Sequence, residues 1–312
     1  GTTTAELVGQ RAAVRSRETN LGRLAADSTL WFARKHFVDN GIGGSVDIAL
    51  KNGGGIRSTI LGPVISNLQI KAAPAFNNRL GIVDLSVAEL VATVENAVSR
   101  VPALDGRFPQ LAGALLEFDP ARPGVSDQVE LTEPSRVKTL IIMREDGTED
   151  VVIENYQVQG DLSRTFTLAT NSVLLTGGDG YQALRVAGER GSISPEVGEQ
   201  QILADYIIDV LGGTVDLPEP LSNLRVFVVS PEVVENMTFD VVDGVITMSH
   251  TVPADFAGTI RLDLSTDLHD WDTLVEGEDY ERTVVENETY HTVTYQSLVP
   301  DLDQLFIRVV VE

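Results

Sequence analysis

Four stretches of this chain combine residue types that can hold a small polar ligand. Arg15-Ser16-Arg17-Glu18 offers guanidinium groups, which fork onto carboxylate or phosphate oxygens. Asn52-Gly53-Gly54-Gly55-Ile56-Arg57 sets three glycines between an amide and another arginine. Glycine lets backbone approach a ligand closely and take positive φ, and the arginine can clamp an anion. The same residues can equally make a tight turn with a surface arginine. They are not a P-loop, because the Lys-Ser/Thr ending is missing, nor a dinucleotide fingerprint. Phe76-Asn77-Asn78 presents an aromatic that can stack on a nucleobase or fill a core. Thr170-Asn171 leads, six residues on, to Gly177-Gly178-Asp179-Gly180-Tyr181. That loop can aim a carboxylate at ligand hydroxyls, as acidic residues do for ribose, or turn the chain with a capping Asp.

The elements that must position these stretches are legible in the hydrophobic pattern. Asn20 to Phe37 carries Leu21, Leu24, Ala25, Leu30, Trp31 and Phe32 at helical spacing. Residues 46–50 form a short apolar strand running into the glycines, and 80–85 form another. Ser86 with Glu89 three residues on is a capping box for a helix that sets Leu90, Val94 and Val98 on one face. Residues 115–118, 137–144 and 165–169 read as strands, with Asp146-Gly147 as a hairpin turn. Residues 199–211 read as a helix stopped by Gly212-Gly213. The expected fold class of residues 1–222 is α+β, a mixed α/β sheet with packed helices. Leu217-Pro218-Glu219-Pro220 breaks the chain there. Strands at 239–242, 245–248, 259–264, 283–285, 290–295 and 305–311, with Asp243-Gly244 as a turn, predict a small all-β, sandwich-like domain over 223–312.

Composition narrows the possible functions. The 312 residues include 46 acids and 23 bases, a formal net charge of −23. Residues 226–312 alone hold 18 of the acids and only 3 of the bases. Such a surface repels a phosphate backbone, so no nucleic-acid polymer is expected as a partner. No run approaches the roughly 18 apolar residues of a membrane span, and no signal segment is recognisable at Gly1. Cysteine is absent, which excludes disulfides, thiol nucleophiles and cysteine-ligated zinc. His36, His250, His269 and His291 stand in no metal-ligand motif and read as structural or surface residues. Asp263, Asp267, Asp270 and Asp272 are dense enough in hard oxygens for calcium, but they lack EF-hand spacing and read as an acidic surface loop.

Taken together and in order, the polar stretches resemble the C-terminal domain of the 5′-nucleotidases over roughly residues 10–215. Glu18-Thr19-Asn20-Leu21-Gly22-Arg23-Leu24 with Ala26-Asp27 is similar to the opening of that domain. Asn52–Arg57 resembles its Asn-x-Gly-x-Ile-Arg loop. Phe76-Asn77-Asn78-Arg79-Leu80 resembles its Pro-Phe-Gly-Asn-x-Leu element. Gly106-Arg107-Phe108-Pro109-Gln110-Leu111-Ala112-Gly113 looks like its Gly-Arg-Phe-x-Gln-x-Ser-Gly stretch. Leu168-Ala169-Thr170-Asn171 through Tyr181 resembles its closing Thr-Asn…Gly-Gly-Asp-Gly-Tyr signature.

The resemblance implies a substrate-binding half. Arg15 and Arg57 would hold phosphate or ribose oxygens, and Asn52 and Asp179 the ribose hydroxyls. Phe76 would stack on the base with Asn78 near its edge, and Gly113 would line the base pocket by its backbone. The family's second stacking aromatic, six residues before the loop Asp, is here Val173, which has no π face. In the family, two divalent metal ions in an N-terminal metallophosphatase domain activate water, and no such domain is recognisable here. The chain is therefore expected to be inactive alone, to pair with that domain in a longer periplasmic or extracellular hydrolase, and to bind a nucleoside or nucleotide. Relatives of this architecture also act on cyclic nucleotides, nucleotide sugars or sulfur compounds. The alternative expectation is a non-catalytic extracellular binding or adhesion module with a degenerate nucleoside pocket.

Overall fold

A computed structural model describes residues 1–221 and 223–229, Glu276, and the later strands named below. The chain divides into two compact units, Gly1–Val228 and Val229–Glu312.

Among its described residues the first unit holds six α-helices and eleven strands. The helices are α1 (Arg11–Val14), α2 (Asn20–Asp39), α3 (Asn67–Ala72), α4 (Val87–Val98), α5 (Gln182–Arg190) and α6 (Glu199–Asp205). The strands are β1 (Thr2–Thr3), β2 (Ile48–Asn52), β3 (Leu80–Ser86), β4 (Pro109–Ala112), β5 (Ala114–Phe118), β6 (Val137–Met143), β7 (Glu149–Glu154), β8 (Gln157–Val158), β9 (Thr165–Asn171), β10 (Thr214–Val215) and β11 (Val226–Val228). This is the mixed α/β class that the sequence predicts. The Ser86–Glu89 capping box forms as expected, with Glu89 N–H donating to Ser86 Oγ at 3.2 Å and Ser86 N–H to Glu89 Oε2 at 2.8 Å. Residues 199–211 depart from the single helix expected of them. After α6 the chain widens into a π turn at Tyr206–Val210, which buries Ile207 and leaves Ile208 and Val210 exposed. Gly212 and Gly213, at φ 61° and 84°, then end it.

The central sheet runs β3-β9-β2-β4. β2 is parallel to β9 and antiparallel to β4, and β3 is antiparallel to β9. Side chains alternate across it. Ile48 and Leu50 join the core under α4 with Leu90 and Val94, while Ala49 joins Ala26, Leu30 and Phe37 of α2. A second sheet, β11-β5-β6-β7-β8, continues beyond Gly113, whose φ of 74° breaks β4 from β5. Because β11 pairs with β5, the first unit reaches Val228, six residues past position 222.

In the second unit every described element is a strand. β12 (Glu235–Val242), β13 (Val245–Pro253), β16 (Tyr280–Glu286) and β17 (Tyr290–Ser297) form one antiparallel sheet in the order β12-β13-β17-β16. β14 (Ile260–Ser265), β15 (Asp272–Thr273) and β18 (Phe306–Val311) form another in the order β15-β14-β18. The Asp243-Gly244 turn lies outside the described residues, as do Asp267 and Asp270 and the side chains of Asp263 and Asp272. Among the described residues, no helix is long and apolar enough to cross a membrane.

Candidate functional site

The strand directions gather the polar stretches at one end of the central sheet. β2 and β9 are parallel, so Asn52 and Asn171 emerge side by side at their carboxyl ends. β3 and β4 run the other way and begin at that same end, with Leu80 opposite Asn171 and Pro109 opposite Asn52. The loops 53–57, 76–79, 106–108 and 172–181 therefore converge there. Ligands of open α/β sheets commonly bind outside the carboxyl ends of strands.

Close backbone packing holds the convergence. Gly53 N–H donates to the Phe108 carbonyl at 2.7 Å and Gly54 N–H to the Gly106 carbonyl at 2.8 Å. A Cβ on Gly53 would lie 1.9 Å from the Val14 carbonyl oxygen, so only glycine lets the Arg15 loop sit this near. That loop is fastened from beneath by the buried Gln110. Its amide donates to the Val14 and Arg17 carbonyls at 3.2 and 2.9 Å and accepts from Thr19 N–H at 3.1 Å.

Asn52 is the hub. Its Nδ2 donates to Asp179 Oδ2 at 2.6 Å, and its Oδ1 accepts from Asn171 Nδ2 at 3.1 Å. Asn171, fully buried, also accepts from Val173 and Leu174 N–H at 3.1 and 3.2 Å, which shapes the turn leading to Asp179. Asp179 itself sits at φ 53° in the left-handed region, with its carbonyl held by Asn96 Nδ2 at 3.2 Å. The loop ends on Tyr181, buried and donating to the Arg107 carbonyl at 2.6 Å. Burial pushes the Tyr181 hydroxyl well above its ordinary pKa.

Cations collect on the same side. Burial, then Arg11 and Arg57, lower the pKa of Arg15, while Asp179 and Asp105 raise it. Arg15 thus feels the positive charge of Arg11 and Arg57, which a bound anion would relieve. Arg57 also lies over the Phe76 ring, 5.4 Å from its centroid, and its Nη1 donates to the Gly54 carbonyl at 3.3 Å. Phe76 is 63% exposed, so it is not a core aromatic. Asn78 is half-buried, its backbone paired with Glu199.

Arg15, Asn52, Arg57 and Asp179 are thus linked by contact or by charge, and Arg57 brings in Phe76. Asn78 lies two residues before β3, at the same end. Gly113 is not with them. It follows Ala112, which pairs with Ala49, so it lies about 13 Å along the strand from Asn52. A Cβ there would meet the Asp47 carbonyl oxygen at 2.1 Å, so its close approach is to this chain's own backbone. The expectation that Gly113 lines the base pocket is corrected accordingly. Sequence reasoning does not single out Arg11, Asn96, Gln110 or Asn171 as site residues. Asn171 and Gln110 stand inside quoted motifs. Arg11 is detectable only by its i, i+4 spacing to Arg15, and Asn96 lies on a helix face that looks like any other.

Comparison with known proteins places the chain in a family. Residues 1–185 match the family model described as the 5′-nucleotidase C-terminal domain. The chain is 30% identical over 207 residues to the trifunctional nucleotide phosphoesterase protein YfkN of Bacillus subtilis (strain 168), covering 65% of this chain and 12% of that one. It is 26% identical over 202 residues to a 5′-nucleotidase of Vibrio parahaemolyticus, covering 65% and 29%. The chain therefore spans less than a third of either relative. Among solved structures, a 5′-nucleotidase precursor from Thermus thermophilus superposes with a TM-score of 0.59 at 31% identity, over 74% of this chain and 39% of that one.

Proposed function

The chain belongs to the family of 5′-nucleotidase C-terminal domains, and on that premise we propose that it binds a nucleoside or nucleotide and presents it to a metal-dependent phosphoesterase domain. The observation that carries this reading is the Asn52–Asp179 bond set against the Arg11, Arg15 and Arg57 cations. Asp179 Oδ1 accepts no hydrogen bond among the described residues, so it can take a ribose hydroxyl. The guanidinium groups supply the anion end, and the exposed Phe76 ring supplies a face for the base. Asn78 is proposed to meet the base edge.

Among the described residues no three His, Cys, Asp or Glu side chains group as a metal site requires. We propose that the two divalent ions of the family belong to a separate domain. The role of this chain is then to orient the substrate, a contribution of proximity. We propose a periplasmic or extracellular setting, which the 27% identity over 215 residues to a snake venom 5′-nucleotidase of Naja atra supports, and we propose that the acidic β unit is an appended sandwich-like module.

Val173 favours a second reading. With no aromatic there, half of the family's base sandwich is gone, as in a binding module whose nucleoside pocket has drifted. Titration calorimetry of the full chain with AMP, adenosine and UDP-glucose tests both. Saturable binding that is lost in Phe76→Ala and in Asp179→Ala is the expected result. No heat with any of the three up to millimolar concentration would overturn the nucleoside reading and favour the module.

A further inference from the structure

Lys51 precedes Asn52 on β2, so its side chain points to the opposite face of the sheet. There it is 5% exposed, and its ammonium contacts the carboxylate of Glu199, 7% exposed, at the first turn of α6. Glu199 also grips the segment that carries Phe76. Its Oε2 accepts from Asn78 N–H at 3.1 Å, and its own N–H donates to the Asn78 carbonyl at 3.0 Å. Gln200 adds two ties, from its N–H to Asn77 Oδ1 at 3.1 Å and from Nε2 to the Pro74 carbonyl at 3.2 Å. A cavity of about 20 Å³, lined in part by Ser28, Thr29 and Pro74, adjoins the pair and has room for a single water.

We propose that the buried Lys51–Glu199 pair is a positioning strut, fixing the Phe76–Asn78 segment relative to Asn52 and so setting how well the site holds the base of a nucleoside. It rests on the nucleoside-binding reading above. A buried ion pair adds little stability over a well-packed apolar pair, so stability alone does not account for it. What the pair supplies is direction: Lys51 holds one carboxylate oxygen, which aims the other at Asn78 N–H. Without Lys51 the carboxylate is buried beside no cation, and it must protonate or turn away. Either change loosens the segment. The segment of Phe76, a ring exposed and touched by Arg57, then loses one of the ties behind it.

The test uses the full chain with Lys51→Met, Lys51→Met/Glu199→Gln and Lys51→Met/Glu199→Ala. Amide hydrogen exchange is followed without ligand, and calorimetry uses adenosine and ribose 5-phosphate, which lacks the base. In Lys51→Met, exchange at Asn78 should quicken about tenfold with 168–171 unchanged, and adenosine affinity should fall about tenfold. Ribose 5-phosphate affinity should hold. Glu199→Gln on that background keeps an acceptor for Asn78 and buries no charge, so both effects should reverse. Unchanged exchange at Asn78, or equal losses for both ligands, would overturn the strut. Should Lys51→Met not fold, the two double variants differ only in that acceptor and decide the matter the same way. A wild type that binds neither ligand sinks the nucleoside reading, while the exchange data still judge the strut.

Discussion

The Asn52 side-chain amide donates to the Asp179 carboxylate at 2.6 Å, joining residues 127 apart in sequence. The bond spans two loops that leave the sheet from the parallel strands β2 and β9, and Asn171 braces it from below at 3.1 Å. Asn52→Ala removes the donor from a carboxylate and strands the buried Asn171 amide. Hydrogen bonds to charged groups are worth about 1.5–3 kcal/mol, so adenosine affinity should fall about tenfold or more. Calorimetry reads that loss, and a thermal melt should drop by only a few degrees. An affinity equal to wild type would remove Asn52 from the site.

Gly113 offers the opposite test. Its φ of 74° and the 2.1 Å approach a Cβ would make to the Asp47 carbonyl oxygen make Gly113→Ala a folding defect. Left-handed backbone at a non-glycine residue costs about 1–2 kcal/mol, and relieving the clash adds to it. Urea unfolding should show a loss of about 2 kcal/mol or more. Ligand affinity of the folded fraction should be unchanged, because the residue sits at the far end of the strand.

These two residues also mark what the sequence could and could not reveal. α2, the capped α4, and strands β2, β3, β6 and β9 follow from local periodicity and capping, which need no knowledge of the rest of the chain. Strand order does not. That β2 and β9 lie parallel, and that β4 begins opposite Asn52 rather than beside it, are long-range facts. They decide that Arg15, Asn52, Arg57 and Asp179 meet and that Gly113, equally conspicuous in its motif, does not. Asn96 and Glu199 escape a sequence reading for the same reason: each works through a backbone group far away in sequence. The short helix α3 escapes it too, although Ser66 and Gln69 make a capping box, since six residues show too little periodicity.

Lys51 should leave a signature in stability against pH. Burial pushes its pKa down to about 7, against an ordinary value of 10.5. Contact with Glu199 opposes that shift, and Glu199 is the one other titratable side chain lining the adjoining cavity, to which α2 brings only Ser28 and Thr29 among polar groups. Between the two pKa values the unfolded chain binds the proton that the folded chain has released, so stability rises with pH from about 7, while the ion pair with Glu199, which needs the ammonium, is lost over the same range. Urea midpoints measured from about pH 6.5 to about 9.5 should increase, and Lys51→Met should flatten the rise. The window stops short of Tyr181, whose raised pKa acts in the other direction at higher pH. A midpoint that falls across this range would mean that Glu199 holds the Lys51 proton.

Val173 is 43% exposed and begins the turn whose backbone Asn171 shapes. It occupies the position where the family resemblance places a second aromatic, with the Asp179 loop folding back so that a Cβ on Gly178 would come within 2.6 Å of its Cγ1. A larger side chain can extend outward here without entering the core. Val173→Phe should therefore fold as well as wild type while adding a second π face opposite the ligand. Base stacking contributes about 1–3 kcal/mol per base, which corresponds to a gain of about tenfold in adenosine affinity. Ribose 5-phosphate, with no base to stack, should bind the variant and the wild type equally. If adenosine gains nothing, the Phe76 face does not point at a base, and the drifted-module reading takes precedence over the nucleoside one.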